Sequence, residues 1–234
     1  MLAGGSEGPS SVFWAGSDVV KVLSRTHNDE PEKASRPMSA TAAGFVPAAG
    51  AGILVLESLS SARARGVRIY AEVLGGEMNC GGHRMGGTMS APNPEGVRRC
   101  IRGAVAMAGI DPGAIDAING HLTATFADPY EIECWRMALG RQPSKMPLIH
   151  ATKSLIGHGL GAAGGIECVA TVLELDEGFV HGSANCEDLH PMLAAYAERI
   201  PHTTVRVPDI KVIAKASFGF GDVNACIIFQ KFGG

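Results

Sequence analysis

Residues 152–168 read Thr-Lys-Ser-Leu-Ile-Gly-His-Gly-Leu-Gly-Ala-Ala-Gly-Gly-Ile-Glu-Cys, and the rest of the chain is arranged around them. Lys153 and His158 stand ahead of a run, Gly161 to Gly165, that carries almost no side-chain volume, so a second backbone or a ligand can approach closely. The apolar spacing that follows (Ile166, Val169, Ala170, Val172, Leu173) predicts a buried helix over 160–175. Glu167 is an acid inside that helix and needs a partner, for which Lys153 is the nearest candidate.

Outward from this stretch, strand and helix patterns alternate. Upstream, 94–108 and 129–139 read as helices, and 115–119 and 148–151 as strands, the first leading to His121 and the second ending just before Lys153. Downstream, 180–195 reads as loop and short helix, and strands at 211–217 and 225–231 flank Phe218 to Asn224. Nearer the start, the apolar run 51–57 predicts a strand covered on both faces. A helix over 58–65 closed by Gly66 and a strand over 69–74 follow. The glycine-rich stretch 75–93 predicts a working loop rather than a connector. Residues 1–7 read as the end of a buried strand, and 10–23 as a helix capped by Ser10 or Ser11. Alternation of this kind implies βαβ units in a layered α/β fold, and the closing pair of strands implies a mixed sheet. His121, Lys153 and Phe218 to Asn224 then share the carboxyl ends of strands, where open α/β sheets bind ligands.

The composition narrows the function. A net charge of −3 gives no electrostatic case for nucleic acid or an anionic membrane, and no stretch is long and apolar enough to span one. The 31 glycines follow no collagen-like period and suit many tight turns. Six scattered cysteines show neither a C-x-x-C pair nor zinc-ligand spacing, which points to free reduced thiols, no metal centre and a cytoplasmic protein. Gly159 to Gly164 matches the dinucleotide fingerprint in letters only, because the preceding strand ends near Ala151, too early for the required turn. Two histidines at strand ends, one with a lysine nearby, point to a site. The other six (His27, His83, His150, His181, His190, His202) read as surface or structural.

Three motifs carry a resemblance. His121-Leu-Thr-Ala-Thr resembles the His-Gly-Thr-Ser-Thr motif of the β-ketoacyl-acyl-carrier-protein synthases of the thiolase superfamily, the condensing enzymes of fatty-acid and polyketide synthesis. Thr152 to Gly164 resembles their lysine and second-histidine motif, and Ser217 to Asn224 their terminal Phe-Gly-Phe-Gly-Gly-Thr-Asn turn. The resemblance implies a thiolase-like α/β fold, with 1–61 the tail of an N-terminal half and 62–234 the C-terminal half. It implies His121 and His158 as the two histidines of malonyl decarboxylation, with Lys153 organising the site and Glu167 supporting it. Thr123 and Thr125 would bind the phosphopantetheine arm, and Phe218 and Phe220 would gate acyl entry. Among the departures from the family pattern, Leu122 and Asp222 stand for glycines and Ala124 for a serine.

The implied activity is decarboxylative condensation of malonyl-carrier-protein with an acyl chain. No cofactor is expected beyond the phosphopantetheine of acyl carrier protein. Expected partners are acyl carrier protein and an N-terminal ketosynthase half or partner ketosynthase subunit, in a homo- or heterodimer. The family's nucleophilic cysteine would lie upstream of Met1, so the chain is expected not to act alone. The rivals are a non-catalytic, chain-length-factor-like partner and, fitting less well, a thiolase. Retention of His121, Lys153 and His158 argues against the first, and the absence of a cysteine in 219–222 against the second.

Overall fold

A computed structural model describes residues 1–233; Gly234, which the expected second half includes, lies outside the described residues. β1 (Leu2–Glu7) and β2 (Gly50–Val55) form an antiparallel pair with Leu2 opposite Val55. Between them runs α1 (Ser11–Val19), whose first turn is capped by the Ser10 hydroxyl accepting from the Phe13 N–H. α2 (Leu59–Arg65) ends at Gly66 in the left-handed conformation. Then come β3 (Ala71–Cys80), α3 (Pro94–Ala108), β4 (Ala117–Asn119), α4 (Asp128–Leu139), β5 (Leu148–His150) and the one-turn α5 (Lys153–Ile156). The chain finishes with α6 (Ala163–Glu177), β6 (Phe179–Val180), β7 (Val205–Arg206), β8 (Val212–Gly219) and β9 (Val223–Lys231).

Five strands make the main sheet, in the order β3-β9-β8-β4-β5. β4 is parallel to β5 and β8, whereas β9 runs antiparallel to β8 and β3, so the sheet is mixed as expected. Alternation along each strand sorts its side chains. Ile118, Ile149, Ala214 and Ile228 point to the core under α3 and α4, and Ala117, Ile213 and Phe229 to the core under α6. On its other side α6 packs on β1 and β2, and there the small residues matter. A Cβ on Gly165 would lie 2.3 Å from the Gly52 carbonyl oxygen and 2.7 Å from the Gly5 nitrogen. Only glycine lets the helix backbone meet that strand pair.

Several expectations need correction. Residues 75–80 are not loop: β3 continues to Cys80 with a bulge between Val73 and Gly75. A Cβ on Gly75 would lie 2.7 Å from the Ala108 nitrogen, so this glycine admits the end of α3 and does not mark a turn. Among the described residues β2 is covered on one face, by α6, while Ile53 and Val55 are exposed; β1 is likewise exposed at Leu2. The helix expected from 160 begins as a 3-10 turn, Leu160–Ala162, with Leu160 at positive φ, before α6 proper. The short helix expected in 180–195 is a 3-10 helix over 191–199, and β8 runs past its expected end at 217 to take in Phe218.

Candidate active site

Three adjacent strands place polar side chains on the α6 face of the sheet. In the register, Asn119 of β4 is the partner of His150 on β5 and of Lys215 on β8, so the three form a row. Opposite them, α6 presents Glu167, Thr171 and Glu174, four and three residues apart and therefore on one helix face. The two rows interlock. Lys215 Nζ lies 2.7 Å from Glu167 Oε2, Asn119 Nδ2 donates to Thr171 Oγ1 at 3.2 Å, and His150 Nε2 lies 3.4 Å from Glu174 Oε2. A buried polar layer thus runs through the centre of an otherwise apolar interface.

Lys153, on the turn between β5 and α6, reaches the same layer. Its ammonium donates to Glu167 Oε1 at 2.5 Å and to the His121 carbonyl at 2.7 Å, and it lies 3.4 Å from His121 Nδ1. Glu167 is therefore held by two lysines. Burial acts to raise its pKa, but the two ammoniums outweigh that and hold the carboxyl below its ordinary value. The partner expected for Glu167 is present; Lys215 is the one that sequence reading missed. Its signal was a lysine inside the apolar strand Val212–Gly219, on the same parity as Ile213, which faces α6.

His121 and His158 face each other with ring centroids 5.3 Å apart and planes at 82°. His158 Nδ1 accepts from the Leu160 N–H at 3.1 Å, and the ammonium of Lys153 beside His121 Nδ1 makes that nitrogen an acceptor too. In both rings the proton must then sit on Nε2. Burial, and next the charge of Lys153, pushes His158 down to about 2 and His121 well below its usual value, so both rings are neutral donors. Phe45 and Phe218 stack edge-on against the pair, at 5.0 Å from His158 and 6.4 Å from His121.

The loop that carries His121 is fixed from α4. Glu131 accepts from the N–H groups of His121 and Leu122 at 2.7 and 2.9 Å, and Asp128 from those of Thr123, Ala124 and Met38. These bonds hold Leu122 and Ala124 at positive φ, a conformation that their side chains disfavour. Thr123 and Thr125 share a hydrogen bond of 3.0 Å between their hydroxyls. A cavity of about 700 Å³ opens above His121 and His158, with Thr123, Thr125 and Phe218 on its walls and Phe220, half exposed, at the rim.

Comparison with known proteins meets this geometry. Residues 70–187, half of the chain, match the family described as "Beta-ketoacyl synthase, C-terminal domain". The 3-oxoacyl-[acyl-carrier-protein] synthase 2 of Rhizobium meliloti is 40% identical over 100% of this chain and 54% of its own length. Synthase 1 of Escherichia coli (strain K12) is 40% identical over 99% of the chain and 54% of its own. The chain belongs to the β-ketoacyl synthase family. It spans about half the length of the curated relatives that it matches. A ketosynthase from Burkholderia phymatum superposes with a TM-score of 0.89 at 31% identity, over 99% of this chain and 54% of that one. A type II polyketide acyl-carrier protein in complex with its ketosynthase gives 0.90 at 31%, over 99% and 56%. The fold is therefore that of the thiolase-like ketosynthases.

Within this ketosynthase half, Asp222 takes on a role that a glycine could not fill. Its buried carboxylate accepts from the N–H groups of His83 and Asn93 at 3.0 and 2.7 Å, and its carbonyl from Gly81. The glycine-rich loop is thereby tied to the turn after Phe220. The cysteines are spread through the chain. Burial raises the thiols of Cys100, Cys134 and Cys186 to between about 11 and 12, and those of Cys168 and Cys226 in the same direction, which makes them poor nucleophiles.

Proposed function

We propose that this chain supplies the malonyl-decarboxylating half of a β-ketoacyl-acyl-carrier-protein synthase. The observation that carries the reading is the pair of neutral imidazoles, His121 and His158, each with Nδ1 occupied and Nε2–H free on the floor of one cavity. When the bond from the α-carbon of a malonyl thioester to its carboxylate breaks, CO2 leaves and the electron pair moves into an enolate. Two preorganised N–H donors stabilise the oxygen on which that charge develops. Neutral histidines suit the task, since neither can quench the carbanion by giving up a second proton. The Lys153–Glu167–Lys215 cluster fixes the His121 loop through the carbonyl that Lys153 holds.

In this reading the enolate carbon attacks the carbonyl of an acyl thioester held on a cysteine outside this chain, and the C–S bond breaks with that cysteine leaving as thiolate. The phosphopantetheine of acyl carrier protein passes Thr123 and Thr125; Phe220 gates the rim, and Phe218 forms a fixed wall beside His121. Acyl carrier protein, a ketosynthase partner half or subunit, a dimeric assembly and a cytoplasmic setting all belong to the proposal. The names of the relatives and the acyl-carrier-protein complex among the similar structures support it.

One similar structure is a ketosynthase/chain length factor, which keeps a non-catalytic partner in view as the rival. The test is decarboxylation of malonyl-carrier-protein by the full-length protein carrying His121→Ala or His158→Ala. Each is expected to lose on the order of 10²–10³ in rate, as removal of one oxyanion donor does, with acyl transfer kept. An unchanged rate would overturn the reading, and no decarboxylation even by the unsubstituted protein would favour the rival.

A further inference from the structure

We infer that His150, Glu174 and His181 form a binding site for a zinc-type divalent cation, at the β5 end of the buried polar layer. The three come from separate elements: β5, α6 and the loop after β6. Each offers a ligand atom, and these atoms lie within 4.8 Å of one another. His150 Nδ1 and His181 Nε2 are 3.1 Å apart, and His181 Nε2 is 3.8 Å from Glu174 Oε1. Two nitrogens at about 2.0–2.1 Å from one tetrahedral ion stand about 3.3–3.4 Å apart, so a few tenths of an ångström of opening would suffice. The Thr152 hydroxyl, 2.9 Å from His181 Nε2, marks a fourth position for itself or a water.

The atoms that would not touch the metal support the same arrangement. A ligating histidine donates its other ring N–H to a carboxylate or a carbonyl, which orients the ring. His181 Nδ1 lies 3.0 Å from the Gly182 carbonyl. His150 Nε2 lies 3.4 Å from Glu174 Oε2, and among the described residues both of these buried atoms lack any other partner. Binding at His150 Nδ1 and His181 Nε2 displaces the proton that the two rings otherwise share. His150 is left with its N–H on Nε2, facing Glu174 Oε2, while Glu174 Oε1 turns to the ion. Both orphaned atoms are then accounted for. The donor set of two imidazoles and one carboxylate is one that zinc takes. The His181 side chain, 11% exposed, offers the way in. A metal here would clamp β5 to α6 and fix Thr152, the residue before Lys153.

The experiment uses the full-length protein, stripped with chelator and titrated with Zn²⁺ and, separately, with Co²⁺. The expected result is about one Zn²⁺ per chain, a rise in Tm on adding it, and Co²⁺ absorption bands of tetrahedral intensity. His181→Gln, chosen because it is the least buried of the three, and Glu174→Gln should each weaken binding at least tenfold while circular dichroism shows the fold retained. If the unsubstituted protein binds neither ion, the cluster is a hydrogen-bonded network sharing a proton and the inference fails. Equal binding by a folded His181→Gln variant would overturn it as well. Neither outcome bears on decarboxylation at His121 and His158.

Discussion

Lys215 Nζ stands 2.7 Å from one oxygen of Glu167 while Lys153 holds the other at 2.5 Å, so a single buried carboxylate carries two buried ammoniums. All three side chains are at most 2% exposed. Removing the acid leaves two uncompensated charges in the interior. Glu167→Ala should therefore cost about 3–5 kcal/mol or more, measured by denaturant unfolding. Lys215→Met removes the surplus charge and leaves a balanced pair, so it should cost far less and could even stabilise. Equal losses in the two variants would mean that the cluster is not organised around Glu167.

The histidine pair makes stability depend on pH, with a definite sign. His158 falls to about 2 and His121 well below its usual value in the folded chain, through burial first and then Lys153. An unfolded histidine titrates at about 6.5. Below that pH the unfolded chain takes up protons that the folded chain refuses. The stabilising contribution of each ring is thus complete above pH ~6.5 and is lost as the pH falls. Each adds about 1.4 kcal/mol per pH unit to the slope. Unfolding free energies from pH 7.5 to 5 should show this fall, and His121→Asn with His158→Asn should flatten it by roughly the sum. An unchanged slope would show the two rings to be solvated.

Much of this was legible in the sequence, for identifiable reasons. The alternation of apolar runs exposes the βαβ order because a strand buried on both faces must be apolar along its whole length. Glu167 needing a partner, and Lys153 being within reach, followed from the cost of a lone buried acid. Lys215 did not follow, because its partner Glu167 reaches it only once α6 has packed across β8. The cluster of His150 with Glu174 and His181 did not follow either, because it comes together only once α6 has packed. The glycines of β3 misled because a turn and a close helix crossing leave the same letter in the sequence.

Asp222 should act as the tie of the glycine-rich loop. Its carboxylate satisfies the His83 and Asn93 N–H groups, and its Oδ2 would sit 2.0 Å from a Cβ on Gly81, so the two residues fit each other closely. Asp222→Gly relieves the positive φ of 61° but orphans two N–H groups. A net loss of about 1–3 kcal/mol is expected. The sharper sign is local: limited trypsin digestion should cut after Arg84, an exposed residue of that loop, several-fold faster than in the unsubstituted protein. Unchanged cleavage would separate the loop from Asp222.

Gly165 should be the least replaceable of the small residues in α6. The helix lies between two sheets, and at Gly165 its backbone meets β1 and β2 with no room for a methyl group: the nearest atoms to an added Cβ are the Gly52 oxygen at 2.3 Å and the Gly5 nitrogen at 2.7 Å. Both are backbone, so no side-chain rotation can yield. Gly164, one residue earlier, would place its Cβ 3.7 Å from the Ser217 hydroxyl, an ordinary contact. Alanine also favours the helix over glycine by about 1 kcal/mol. Gly164→Ala should accordingly be neutral or stabilising. Gly165→Ala should lose about 1–3 kcal/mol or more as the strand pair is pushed off. Hydrogen exchange at the amides of β1 and β2 decides the matter, since detachment should raise exchange there while the amides of β4 and β8 stay protected. Matching exchange in the two variants would show that α6 and the strand pair do not cross at Gly165.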